Sequence, residues 1–255
     1  MAMQYIITDQ VMTAIVIIPA RYDSTRFPGK PLSPLRGIPV IQHVYQNSRR
    51  SRFADDVIVA TDSETIFEKV LAFGGKAIMT SKDHPSGTDR IAEVAASLNY
   101  DIIVNVQGDE PLIHPQMIDD VITVLSDERA SIGTLMKKID DPKEIGDPHV
   151  VKVVFDKEYF ALYFSRASIP FRASHSGLTT ADYYKHIGIY SYRREALITF
   201  SGLEPGKLEQ TEKLEQLRAL DNGMKIKVKE TFFETFGVDT PEDLERVEKC
   251  LSTSL

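Results

Sequence analysis

Cysteine is almost missing from this chain: Cys250 is the single example in 255 residues. A lone thiol cannot close an internal disulfide, and such usage fits a reducing compartment, so a cytoplasmic location is expected. Cys250 itself reads as a helix-face residue without a chemical role. No apolar run approaches the roughly 20 residues that a membrane helix needs, so no membrane insertion is expected. The opening residues, MAMQYIITDQVM, lack the basic and apolar regions of a secretory leader. Residues 1–12 therefore read as a flexible N-terminal extension, and 13–255 as a single domain. Positive charge is also in deficit, with 30 Lys and Arg against 37 Asp and Glu and a net charge of -7. That balance argues against a nucleic-acid partner, which would call for a basic face. Tryptophan is absent and excludes nothing. Neither the NTPase phosphate loop GxxxxGK[ST] nor the dinucleotide fingerprint GxGxxG occurs. There is no internal repeat and no low-complexity linker.

What is present is a core-forming composition, 42% hydrophobic, organised in the first half as apolar runs alternating with helical periods. Strands are predicted at 14–20 (AIVIIPA), 56–62, 76–80 and 101–111. Helices are predicted at 38–50, 63–73, 86–98 and 115–127. Strand and helix at this spacing imply parallel crossovers and a doubly wound sheet. The second half is more mixed, with strands predicted at 131–139, 150–156, 159–167, 186–194 and 225–231. Helices are predicted at 208–223 and 240–251, the latter with Thr240 as its N-cap. The segment 172–184 reads as an exposed loop. The expected class is α/β: a Rossmann-like, doubly wound, mostly parallel sheet with an inserted antiparallel lobe at about 131–223.

Four stretches carry chemistry. PARYDSTRFPGK (19–30) follows the first strand and concentrates Arg21, Arg26 and Lys30 in a net-acidic protein. In an open α/β sheet, ligands bind beyond the carboxyl ends of the strands, so this loop suits a polyphosphate. A solvated basic loop is equally compatible with the spacing alone. VNVQGDEP (104–111) places Asp109 just past another buried strand, where an acid can hold Mg2+ beside phosphate or simply form a turn. Asp239, in FGVDTPEDL, precedes a helix start and, taken singly, could merely complement that helix N-terminus. HPSGTDR (84–90) offers Ser86, Gly87 and Thr88 as donors to a base or ribose, or as a plain helix cap.

Taken together and in order, IIPARYDSTRFPGKPL, HPSGTDR, VNVQGDEPLI, YFSRASIPF, HIGIYSYRREAL, LEQTEKLEQLRAL and VDTPEDLERV resemble the 3-deoxy-manno-octulosonate (Kdo) cytidylyltransferases. The resemblance runs from about residue 13 to 250. The first motif alone also resembles CMP-sialic acid synthetases; the later ones make the Kdo enzymes the much closer match. The resemblance implies a fold of the nucleotide-diphospho-sugar transferase type and a homodimer. It also implies a reaction of CTP with Kdo giving CMP-Kdo and pyrophosphate, with Mg2+ as cofactor, in lipopolysaccharide biosynthesis.

Site roles follow from the same resemblance. Arg21, Lys30, Asp109 and Asp239 would be catalytic, with Asp109 and Asp239 holding the metal. Pro19, Ala20, Arg21, Arg26, Lys30, Ser86, Thr88, Asp89, Arg90 and Gln107 would face the nucleotide. Gln107, Arg166, His186, Tyr190, Gln210, Glu212 and Glu215 would face the sugar. Read without it, His186 is a half-buried histidine, the acids of 208–220 are a solvated helix face, and Arg90 pairs with Asp83 or Asp89. Two other functions stay open: another sugar nucleotidyltransferase, such as a CMP-sialic acid synthetase, and a non-catalytic nucleotide-binding regulator.

Overall fold

The structure, a computed structural model, describes residues 12–23, 27–173 and 183–253. Arg26, residues 1–11 and most of the predicted loop 172–184 lie outside the described residues. Nine strands form one sheet. Along its main path run β11 (Ile226–Glu230), β7 (Ile132–Lys138), β10 (Tyr184–Arg193), β6 (Ile102–Asn105), β1 (Ala14–Ala20), β4 (Asp56–Thr61) and β5 (Ala77–Met79). β10 is antiparallel to both of its neighbours on this path, while the β1–β4, β1–β6, β4–β5 and β7–β11 pairs are parallel. β8 (Lys152–Phe155) and β9 (Ala161–Ser165) extend the sheet as an antiparallel pair against β10. The antiparallel part of the chain is thus continuous with the main sheet. A separate two-stranded ribbon, β2 (Pro34–Leu35) with β3 (Ile38–Pro39), turns through Arg36 and Gly37, both at positive φ.

Side chains alternate across a strand, and β1 shows the consequence. Val16 and Ile18 enter a core with Ile41, Val44, Ile66, Met117 and Val121. These come from α1 (Val40–Ser48), α2 (Glu64–Ala72) and α4 (Pro115–Val124). Ile15 and Ile17 point to the other face, where Ile91, Val94, Leu197 and Leu217 close a second core. Those residues come from α3 (Gly87–Ala96), α6 (Arg194–Ser201) and α8 (Gln216–Asp221). A third, small cluster joins Leu35 and Val40 to Val238 and to Val247 of α9 (Pro241–Thr253). It docks the C-terminal segment beside the loop that follows β1.

Several expectations are corrected. The helix predicted over 208–223 is two helices, α7 (Lys207–Glu212) and α8, parted where Lys213 adopts the left-handed conformation at φ 55. Leu208, before the break, is 40% exposed, whereas Leu214 and Leu217 beyond it are buried. The carboxylates of Glu212 and Glu215 accept hydrogen bonds from different parts of the fold, which a straight helix would not reach. The strand predicted to end at 194 gives way there to α6, whose Leu197 and Phe200 are buried at helical spacing. The helix predicted from 38 starts at 40, because Ile38 and Pro39 pair with Leu35 and Pro34. Tyr183, read as loop, is buried, and Tyr184 begins β10. Met12, assigned to the extension, packs against the first core and meets Arg193 through its sulfur. A short α5 (Lys143–Gly146) and a single 3-10 turn at Lys30–Leu32 complete the elements among the described residues.

Candidate active site

The carboxyl ends of β1, β4 and β6 lie side by side, with Ala20 opposite Thr61 and Ile17 opposite Asn105. Beyond β1 the chain passes the exposed Arg21 and folds back on itself. Gly29 N donates to the Tyr22 carbonyl at 2.9 Å, and Gly29 sits at φ 72 beneath the Tyr22 ring. Only glycine adopts that conformation without penalty, and it delivers Lys30 to the rim. The Lys30 ammonium donates to Asp109 Oδ2 at 2.5 Å and to Asp239 Oδ1 at 3.0 Å. Three segments, separated by 79 and 209 positions from Lys30, therefore meet at one cation.

Two features bring them together. After β6, Gly108 passes so near β1 that a Cβ there would lie 2.7 Å from the Pro19 carbonyl oxygen. The absence of a side chain lets the 106–110 turn settle against the rim. Val238, fully buried with Leu35 and Val40, donates its N–H to the Asp109 carbonyl at 2.8 Å. Thr240 and Asp243 close the adjoining helix start reciprocally, Thr240 N to Asp243 Oδ2 at 3.0 Å and Asp243 N to Thr240 Oγ1 at 3.2 Å. Burial alone would weaken the charge on Lys30, but Asp109 and Asp239 outweigh it and hold the ammonium above its ordinary range. Beside them, Glu110 has a buried carboxyl whose Oε2 finds no partner among the described residues. Burial, with the neighbouring Asp109 charge adding to it, pushes its pKa up to about 8. Glu110 is thus mostly neutral at pH 7 and adds little to the local negative charge; nothing in its sequence neighbourhood signals this.

On the side predicted to hold the nucleotide, Gly87 abuts the Pro19 ring, so the start of α3 lies against the end of β1. Ser86 caps α3, accepting from Asp89 N at 3.2 Å and donating to Asp89 Oδ2 at 2.7 Å. Thr88 is buried, and its hydroxyl donates to Glu215 at 2.6 Å. Arg90 pairs neither with Asp83 nor with Asp89. It is 3% exposed and reaches Asp62 Oδ2 at 2.6 Å, with a further bond to Thr80 Oγ1. Its guanidinium ties α3 to the ends of β4 and β5. Gln107 donates to the buried Asn105 at 3.1 Å.

On the side predicted to hold the sugar, Tyr190 of β10 stands opposite Asn105 of β6, and its ring centre is 5.4 Å from that of His186. His186 Nε2 lies 3.0 Å from Thr134 Oγ1, and that hydroxyl is also 2.8 Å from the Ile189 carbonyl. A hydroxyl has one hydrogen. With that hydrogen on the carbonyl, His186 donates from Nε2, and Nδ1 is an acceptor. Burial drives the His186 pKa down to about 3, so the ring is neutral at pH 7. The unfolded chain takes a proton near pH 6.5 while the folded one does not. This contribution to stability is therefore present above about pH 6.5 and lost as the pH falls towards 3. Thermal unfolding of wild type and His186→Gln between pH 7 and 5 should show the difference: wild type should lose more on acidification, by at most about 1.4 kcal/mol per pH unit.

Arg166 is held by backbone oxygens, with Nε on Glu212 O at 2.8 Å and Nη1 on Pro148 O at 2.9 Å. The Glu212 carboxylate accepts from Ser165 Oγ at 2.6 Å and Arg166 N at 3.0 Å. Gln210 is exposed on α7 and donates to the Pro205 carbonyl, so it is not brought together with the others. Two supporting residues have no motif to reveal them. Lys152 is fully buried and donates to the carbonyls of Asp147, Val150 and Arg166 at 2.6–2.8 Å. Arg218 forks onto both oxygens of Glu209 at 2.7 and 2.8 Å and clamps α7 to α8.

The pair Asp109 and Asp239 suits a hard divalent cation. Both oxygens already converge on one cationic atom, and such an ion takes one or two carboxylates and completes its shell with phosphate and water oxygens. Among the described residues no group of three or more His, Cys, Asp or Glu gathers as a self-sufficient metal cage. No helix among them is long and apolar enough to cross a membrane.

Comparison with known proteins gives the family and the fold. A family model described as Cytidylyltransferase matches residues 15–226. A protein of Thermodesulfovibrio yellowstonii named 3-deoxy-manno-octulosonate cytidylyltransferase is 53% identical over 253 residues, covering 95% of this chain and 99% of that protein. A protein of the same name from Geobacter metallireducens is 51% identical, covering 94% and 98%. The solved structure of a CMP:2-keto-3-deoxy-manno-octonic acid synthetase complexed with CTP superposes with a TM-score of 0.90 at 43% identity, over 95% of this chain and 100% of that one.

Proposed function

The chain belongs to the cytidylyltransferase family, among the 3-deoxy-manno-octulosonate cytidylyltransferases, and from that membership we propose how it works: it transfers the cytidylyl group of CTP to Kdo and releases pyrophosphate. The observation that carries the reading is the Lys30 ammonium bridging Asp109 and Asp239 at the carboxyl rim of the sheet. A cation flanked by two carboxylates at that rim can serve both an anionic triphosphate and a metal ion.

In this reading the backbone of Pro19 and Ala20 and the capped start of α3 at Ser86 and Asp89 receive the nucleoside. Arg90 supports them from behind through Asp62. Arg21 and Lys30 face the phosphates, with Arg26 in the same loop beyond the described residues. Lys30 neutralises charge that develops on the α-phosphate as the bond to pyrophosphate breaks, which is where a fixed cation contributes most. The Kdo carboxylate is met by Arg166 and its hydroxyls by His186 Nδ1, Tyr190 and Gln107, so that the anomeric hydroxyl lies in line with the departing group. A divalent cation, Mg2+ in our reading, would be held by Asp109 and Asp239 and would supply charge to the phosphate and lower the pKa of the attacking hydroxyl. Direct transfer is preferred to a covalent enzyme intermediate because Cys250, the one thiol, lies on α9. A homodimer and a cytoplasmic location belong to the same reading, supported by the family resemblance and the single cysteine. The product would serve lipopolysaccharide synthesis.

The test is pyrophosphate release from CTP and Mg2+ with Kdo or with sialic acid as acceptor. Release with Kdo alone is expected. Release with sialic acid alone would move the sugar assignment, and CTP binding without release from either would make the protein a nucleotide-binding regulator.

A further inference from the structure

The residues assigned to opposite substrates are joined by one hydrogen bond. Thr88 lies in the first turn of α3, 4% exposed, and its hydroxyl donates to Glu215 Oε2 at 2.6 Å. Since the hydroxyl has a single hydrogen, its donor capacity is committed to the carboxylate. Glu215 closes the break between α7 and α8, and its Oε1 faces Arg218 at 3.6 Å. Three residues earlier, Glu212 takes Ser165 and the backbone and side chain of Arg166. The stretch 212–215, turned by Lys213, thus reaches α3 with one acid and the end of β9 with the other.

We propose that Thr88 is a positioning residue for the sugar rather than a contact for the nucleotide: it holds Glu215, and through the 212–215 turn it sets where Arg166 meets the acceptor. This rests on the sugar side being the one proposed above. A hydrogen bond to a carboxylate is stronger than one between neutral groups. Valine keeps the shape of threonine and removes that bond.

Thr88→Val and Thr88→Ser are compared with wild type by steady-state kinetics with CTP and Kdo, and by calorimetric binding of CTP alone. Thr88→Val is expected to raise KM for Kdo by roughly ten-fold while CTP affinity stays within about two-fold, and Thr88→Ser is expected to restore the wild-type value. A loss of CTP affinity with KM for Kdo unchanged would overturn the proposal and make Thr88 a nucleotide ligand. Unchanged constants for both substrates would overturn it as well. If circular dichroism shows that Thr88→Val does not fold, Thr88→Cys, close in size with a weak donor, takes its place with the same pattern expected. Wild type failing to turn over Kdo at all would instead refute the proposed function, an outcome recognised before any variant is made.

Discussion

Lys30→Ala is expected to lower kcat by about a hundred- to a thousand-fold, the range found when one preorganised stabiliser of transition-state charge is removed. The side chain is 14% exposed and sits between two carboxylates. Its loss removes the charge proposed to face the phosphates and takes the shared cation from Asp109 and Asp239. Arginine should not rescue it, because a planar fork cannot take the place of a compact ammonium between Asp109 and Asp239. The effect on folding should be small by comparison, since Asp239 is 44% exposed and water can take up its lost partner. The check pairs pyrophosphate release with a thermal melt. Turnover within a few-fold of wild type, in protein that binds CTP, would remove Lys30 from the chemistry.

Asp239→Asn should cost as much. Asparagine has the size of aspartate and keeps an oxygen that can accept from Lys30, so the third cluster around Val238 should stay closed. What disappears is one of the two negative charges offered to a divalent cation. Changing even an outer partner of a metal site costs about 10- to 100-fold, so losing a direct charge should exceed that. The half-saturating Mg2+ concentration should rise, and excess Mg2+ should not restore kcat. Wild-type turnover at saturating Mg2+ would place the metal elsewhere. Direct titration of Mn2+ onto the protein by paramagnetic resonance separates lost metal affinity from lost chemistry.

The two predictions draw on residues that differ in how visible they are along the chain. Asp109 stands just beyond a run of buried β-branched residues and Lys30 lies in the loop that follows another, at the carboxyl rim of the sheet, although spacing alone leaves each open to a plainer reading. Asp239 is less visible. Taken singly it resembles any acid before a helix, and only Val238 seated on Leu35 and Val40 carries it to Lys30. Thr88 and Glu215 lie 127 positions apart, and no local pattern links them. The broken helix is instructive. Leu208, Leu214, Leu217 and Leu220 suggest one amphipathic helix, yet Leu208 is 40% exposed and only the leucines beyond the turn at Lys213 pack inward, because tertiary bonds to Glu212 and Glu215 decide where the chain turns. Arg90 shows the same limit: its pairing with Asp62 depends on how α3 crosses β4.

By itself the sequence determined the alternation of strands and helices, the rim at which ligands bind and the order of motifs that places the chain among its relatives. These are encoded within windows of ten or so residues, where side-chain period and turn chemistry act. Tertiary structure alone decided which acids share a cation, which arginine faces inward, and where a continuous helical pattern breaks. Those outcomes depend on charges and hydrogen-bond donors brought together over 79 to 209 positions, and burial, not proximity along the chain, sets their strength.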